Sequence, residues 1–146
     1  MTMCKLFLII LFLGLFPEIG LAADQVQGPI SAKVLRVVDG DTIAVSALIW
    51  PGQRVEVKVR LAEVNAPETF RPVCQEEKKI GHSATLFVNQ RIGKNVDLQN
   101  IRLGKYAGRV VANIITASGE DLGELLLNAG LAHKQKDRSG WCNTLG

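Results

Sequence analysis

The chain has 146 residues, a formal charge of +3, and neither an internal repeat nor a low-complexity segment. A solenoid is excluded, and the length suits one domain with one core. The small basic surplus permits attraction to polyanions without demonstrating it.

Met1 to Ala22 has the pattern of a signal peptide. Lys5 gives a positive start, and Leu6 to Phe16 is an apolar run of roughly 11 residues, short for a membrane span. Pro17 and Glu18 break the run, and Gly20-Leu21-Ala22 offers small residues for cleavage after Ala22. The alternative, an uncleaved anchor, is disfavoured by the length of the run. Cys4 lies too early for a lipoprotein box. The expected mature domain is 23–146, periplasmic or secreted, without stable membrane association after cleavage. Lys5 and Glu18 leave together, so its formal charge stays +3.

Cleavage leaves Cys74 and Cys142. Two cysteines in an exported chain pair more often than not, so one intramolecular disulfide is expected. The alternative is a pair of free or intermolecular thiols. Neither cysteine has a histidine at zinc-ligand spacing, so no structural zinc is expected.

Ala23 to Gly28 is a polar lead-in. Ile30, Ala32, Val34 and Val37-Val38 begin a strand, Asp39-Gly40 signals a turn, and Thr42 to Leu48 continues as a second strand. Trp50-Pro51-Gly52 punctuates the next turn. Val55, Val57, Val59 and Leu61 alternate with Glu56, Lys58 and Arg60, a period-two strand that puts Arg60 on the polar face. Pro67 ends regular pairing and places Glu68 on a loop. Ile80, Ala84, Phe87, Val88 and Ile92 form a helical stripe within Glu76 to Ile92, with Gly93 as its stop. Val96, Leu98 and Ile101 suggest a fourth strand, and Arg109 to Ile115 a fifth. Asp121 to Ala129 is a short amphipathic helix ended by Gly130. The order β-β-β-α-β-β-α is compatible with a five-stranded Greek-key barrel, but by itself it establishes only a small α+β barrel.

Three segments carry the chemistry: Asp39-Gly40-Asp41-Thr42, Arg60-Leu61-Ala62-Glu63-Val64-Asn65-Ala66-Pro67-Glu68, and Tyr106-Ala107-Gly108-Arg109. Carboxylates can hold a hard cation and activate water, and guanidinium forks grip phosphate. A metal-dependent phosphodiesterase is the indicated class. The order of these segments resembles the staphylococcal nuclease (thermonuclease) family from about Ile30 to about Lys134. Asp-Gly-Asp-Thr alone is weak, Arg-Leu-x-x-Val-x-x-Pro-Glu is more distinctive, and all three in order are strong.

The resemblance implies the OB-fold, with a central helix and a short C-terminal helix. It implies Asp41, Asn65 and the Ala66 backbone carbonyl as ligands of Ca2+ or another divalent metal. Glu68 is implied as general base or water positioner, and Arg60 and Arg109 as phosphate stabilisers. Lys105 and Tyr106 are implied as nucleotide contacts. Asn65 stands where the family usually has aspartate, so the site loses a charge. Ala107 interrupts the usual Tyr-Gly-Arg, and Gly104 stands where an aspartate is common. The family's long final helix lacks a counterpart after Lys134, so Cys142 is expected to hold the tail. His82 and His133 are expected to be structural or exposed. The leading expectation is an exported, monomeric endonuclease acting on DNA, RNA or both. The alternative is a catalytically weak OB module that binds nucleic acid or another polyanion. A purely structural domain leaves Asp41, Arg60, Glu68 and Arg109 together unexplained.

Overall fold

The computed structural model describes residues 24–135 and 140–142. The expected signal peptide and its cleavage position lie outside the described residues. The elements are β1 (Gln25–Val26), β2 (Ile30–Asp39), β3 (Thr42–Trp50), β4 (Gln53–Leu61), β5 (Val64–Asn65), α1 (Gln75–Arg91), β6 (Asn95–Leu103), β7 (Arg109–Thr116), α2 (Leu122–Asn128) and β8 (His133–Lys134).

Strands β6, β2, β3, β4 and β7 lie side by side, and β6 also pairs β7, closing a five-stranded barrel. Its neighbours are antiparallel except for β4 and β7, which run parallel. With its two helices this is the small α+β barrel expected from the element order, of the OB type that the resemblance implies. The period-two pattern explains the interior. Ile43, Val45, Val59, Leu61, Leu98 and Ile114 are all fully buried. Each such side chain contributes roughly 1.5–3 kcal/mol by leaving water. Ala84, Val88 and Ile92 of the α1 segment and Leu122 and Leu126 of α2 join the same core.

Two irregularities shape the barrel. A register shift between Val34 and Arg36 turns Leu35 outward and lets β2 keep both Val34 and Val37 toward the core. A second shift between Gln99 and Arg102 includes Asn100 at φ 52°, bending β6 where it meets β7. Two small pairings were not anticipated. The polar lead-in contributes β1, which pairs with β6 at Val26↔Ile101. Asn65 belongs to a two-residue strand paired with His133 on β8 rather than to an open loop.

The Asp39–Thr42 turn differs from its expected form. Gly40 and Asp41 are its central residues, since Asp39 and Thr42 are register partners. Gly40 does not have positive φ. A Cβ there would meet Ala84 Cβ at 2.7 Å and Ala66 Cβ at 3.0 Å. Glycine is therefore required by the approach of the turn to α1 and to the Asn65–Pro67 segment. Gly81 plays the same part from the helix side, where a Cβ would meet Thr69 Cγ2 at 2.7 Å and the Pro67 carbonyl at 2.9 Å.

Cys74 and Cys142 form the expected disulfide, with Cα atoms 6.0 Å apart and a sequence separation of 68. Closing a loop of that length stabilises by roughly 4 kcal/mol in the chain-entropy picture. Cys74 is also the N-cap of α1, so the bridge ties the tail to the start of that helix. Next to it, Trp141 stacks on His133 with ring centroids 3.7 Å apart.

Gly40→Ala is expected to cost roughly 1–3 kcal/mol through overpacking against Ala84 and Ala66. Urea unfolding should show a lower midpoint at an unchanged slope. An unchanged midpoint would mean that the turn and helix separate without cost.

Candidate active site

Asp41 ends the β2–β3 turn beside the last residues of β4. Its Oδ2 accepts from Arg60 Nη2 at 2.9 Å and from the Ala66 amide at 3.3 Å. Its Oδ1 accepts from Thr42 Oγ1 at 2.9 Å. The same Arg60 Nη2 donates to Asn65 Oδ1 at 3.0 Å, and Nη1 donates to the Val64 carbonyl at 3.1 Å. One guanidinium thus joins a carboxylate, an amide oxygen and a peptide oxygen from two separate segments. Side-chain exposure is only 16% for Arg60 and 12% for Asp41, so this ion pair is screened less than a surface pair.

The chain reaches this geometry by a sharp turn after β4. Glu63 sits at φ 59°, a left-handed conformation uncommon for a non-glycine residue. Its carbonyl accepts from the Gln135 amide at 2.7 Å. The turn brings Val64 and Asn65 alongside β8 and returns the Asn65 side chain toward Arg60.

Glu68 lies on the following loop with its side chain exposed. Its position is set through the backbone. The Glu68 amide donates to Glu77 Oε1 at 3.2 Å and the Val73 amide to Glu77 Oε2 at 2.6 Å. Glu77 is buried on the first turn of α1. Both of its oxygens hold the loop, and hydrogen bonds to a charged group contribute more than neutral ones.

Arg109 opens β7. The parallel pairing places it opposite Lys58, while Arg60 pairs with Val111. Arg60 and Arg109 are therefore diagonal neighbours on the outer barrel face, with Cα atoms roughly 8 Å apart from ordinary strand spacing and rise. The Arg109 guanidinium lies 4.9 Å from the Tyr106 ring centroid. Lys105 Nζ lies 5.8 Å from the same ring. Arg109 Nε is buried without a hydrogen-bond partner.

The structure thus brings Asp41, Arg60, Asn65 and Ala66 into one hydrogen-bonded network and Lys105, Tyr106 and Arg109 into one stack. Strand β4, which carries Arg60, pairs directly with β7, which carries Arg109. The Glu68 carboxylate stays outside both. Among the described residues no three His, Cys, Asp or Glu side chains cluster as metal ligands.

A family model described as staphylococcal nuclease homologue matches residues 58–143, more than half of the chain. The chain belongs to the staphylococcal nuclease homologue family. An Escherichia coli protein named "Uncharacterized endonuclease" is 28% identical over 104 residues. The match covers 70% of this chain and 60% of that protein, so this member spans less than two thirds of its relative's length.

The departures from the family pattern have local explanations. Ala107 is absorbed in the exposed β6–β7 loop, where Gly108 takes φ 73°. Arg109 keeps its register with Lys58, and the Gly104 amide bonds the Arg109 carbonyl at 2.9 Å. A Cβ at Gly104 would meet that carbonyl oxygen at 2.7 Å, so this loop admits no larger residue there without moving. His82 is exposed on α1, and His133 is engaged with Trp141.

Two acidic residues were given no site role from sequence. One is Glu77, whose role depends on the loop folding back onto α1. The other is Asp39, whose Oδ1 accepts from the Asp41 amide at 3.1 Å. Burial, and then the charge of Asp41, push the Asp39 carboxyl from 3.8 up to about 6. The doubled aspartate of the turn was the available signal.

The raised Asp39 value fixes a pH dependence. The folded chain keeps this proton to higher pH than the unfolded chain. The associated stability is full below about pH 4 and is lost as pH rises through about 6. Asp39→Asn, compared with wild type in chelator, is expected to lose this falling component and to be the more stable protein above pH 6. Parallel pH–stability curves for the two would contradict the assignment.

Proposed function

We propose that this chain is an exported, divalent-metal-dependent endonuclease that hydrolyses phosphodiester bonds of DNA, RNA or both. The observation that carries the reading is the pair of arginines on one barrel face, Arg60 fixed to Asp41 and Asn65 and Arg109 with its Nε unpaired. An orphaned buried donor is costly, and a phosphate oxygen would satisfy it. Family membership and the name of the Escherichia coli relative support nuclease chemistry.

Asp41, Asn65 and the Ala66 carbonyl would hold the cation, with Ca2+ the metal implied by the family. The donors fit, because carboxylate, amide and peptide oxygens suit a hard ion. Arg60 shows that the Asp41 and Asn65 oxygens converge on one positive centre. The bound ion would supply charge neutralisation at the phosphate and an acidified water.

The remaining work falls to the chain's own side chains. Glu68, steadied by Glu77, accepts the proton of the attacking water. The water oxygen bonds phosphorus as the opposite P–O bond breaks. Arg60 and Arg109 donate to the non-bridging oxygens, where charge accumulates. Arginine suits this because its planar fork stays charged and bonds two oxygens at once. Lys105 and Tyr106, both exposed on the β6–β7 loop, contact the adjoining nucleotide. The disulfide supports an oxidising compartment, in line with export to the periplasm or the exterior. A second reading, a binding module with little catalysis, draws on Asn65 and the single full charge it leaves at Asp41.

Cleavage of plasmid DNA and of RNA with and without divalent metal decides between them. Arg109→Ala is expected to lower turnover roughly a hundredfold, about 3 kcal/mol in the barrier, with the fold retained. Glu68→Gln should also lose turnover, and Asn65→Asp should tighten calcium binding in calorimetry by adding a ligand charge. Absent cleavage by wild type would sink the nuclease reading, metal-independent cleavage would remove the cation from it, and full activity in Glu68→Gln would remove Glu68.

A further inference from the structure

The outer barrel face carries a cleft of about 510 Å³ that begins at Arg109. Its walls include Arg36, Lys58, Arg109, Leu35 and Tyr106, and Ala44 also lines it. Sheet register explains the arrangement. Arg36 pairs with Ala44, Ala44 with Lys58, and Lys58 with Arg109. Three cations and one alanine therefore stand in a row across β2, β3, β4 and β7. At ordinary strand spacing the row spans roughly 14 Å.

The bulge in β2 builds this row. With strict alternation from Val34, Arg36 would face the core. The register shift between Val34 and Arg36 sends both Leu35 and Arg36 outward and leaves Val37 facing inward. Ala44, the only small residue in the row, leaves a trough between Arg36 and Lys58. Among the described residues, none of the three cations has a carboxylate within ion-pair distance. Glu56, two residues from Lys58 on the same face, is the single acidic residue in the walls. It marks the end of the basic track. Along the rim, Leu35 is 45% and Tyr106 60% exposed.

We propose that Arg36 and Lys58 form a second phosphate subsite, which takes the phosphates flanking the one gripped by Arg60 and Arg109. The ligand is an extended single strand of nucleic acid. A row of unpaired cations follows a sugar–phosphate backbone, and the exposed Tyr106 ring on the rim offers a stacking surface to a base that has left a duplex. A stacked duplex presents no free base face to Tyr106. This inference rests on the nuclease reading and deepens it, because it makes the enzyme a reader of polynucleotides rather than of isolated phosphodiesters.

The test is binding in chelator, where cleavage does not interfere. A labelled single-stranded oligonucleotide is titrated against wild type, Arg36→Ala/Lys58→Ala, and a Lys94→Ala control, over a range of salt. Both cleft residues are exposed, and circular dichroism checks the fold. The double variant is expected to bind at least tenfold more weakly at low salt. Its log–log salt slope should be shallower by about 1.4, two contacts on a single strand. The control should match wild type. With metal, KM for a polynucleotide should rise, while cleavage of a dinucleotide is unchanged. Unaltered affinity and slope would overturn the proposal, as would equal loss of dinucleotide cleavage. Equal binding of duplex DNA or of base-free polyphosphate would overturn the single-strand assignment. Should wild type cleave nothing, yet lose single-strand binding with the double substitution, the nuclease reading alone would fall.

Discussion

Arg60 is the constraint on which the site depends. Its two terminal nitrogens hold Asp41 from the β2–β3 turn, Asn65 from β5 and the Val64 carbonyl. Removing it would leave a largely buried carboxylate without its charge partner, the costly way to break a pair. It would also free the turn after β4. The residue that would grip phosphate is therefore the residue that assembles the oxygens expected to bind metal. These roles compete, since one guanidinium nitrogen occupies the point on which the Asp41 and Asn65 oxygens converge. Asparagine rather than aspartate at 65 leaves less negative charge at that point, which would weaken the pull on a metal and on the guanidinium alike.

Around this clamp the fold supplies rigidity from close packing of small residues. Gly40 and Gly81 let the aspartate turn, α1 and the Pro67–Thr69 segment approach without side chains between them. Glu77 then fixes the loop that carries Glu68 through two backbone amides. On the other flank, the parallel β4–β7 pairing carries Arg109 to Lys58, so the two arginines come from distant sequence yet share one face. The tail is held by the disulfide and the His133–Trp141 stack.

The barrel was legible where alternation is strict. Val57, Val59 and Leu61 told which face of β4 is buried, and hence that Arg60 faces outward. The helical stripe of Ala84, Val88 and Ile92 was equally plain. Pairings of two residues leave no periodic signal, so β1, β5 and β8 stayed hidden. The bulge at Leu35 was hidden too, because one extra residue changes the face of Arg36 without changing composition. Gly40 was read as a turn former, whereas contact with Ala84 and Ala66 requires it. Motif spacing singled out Asp41, Arg60, Asn65 and Arg109 as candidates. It could not reveal that Arg60 bonds Asp41 and Asn65 together, or that Glu77 holds the Glu68 loop, since those facts arise from the folded chain.

The proposed chemistry requires Asp41, Arg60 and Asn65 to respond together to a cation and Arg109 to remain open to phosphate. Side-chain NMR of the arginine Nε–Hε groups tests it most directly. Calcium added to the metal-free protein should shift the Arg60 resonance and leave Arg109 nearly unmoved. A phosphorothioate dinucleotide resistant to cleavage should then shift Arg109. Calcium that leaves Arg60 unchanged, or a dinucleotide that leaves Arg109 unchanged, would contradict the account.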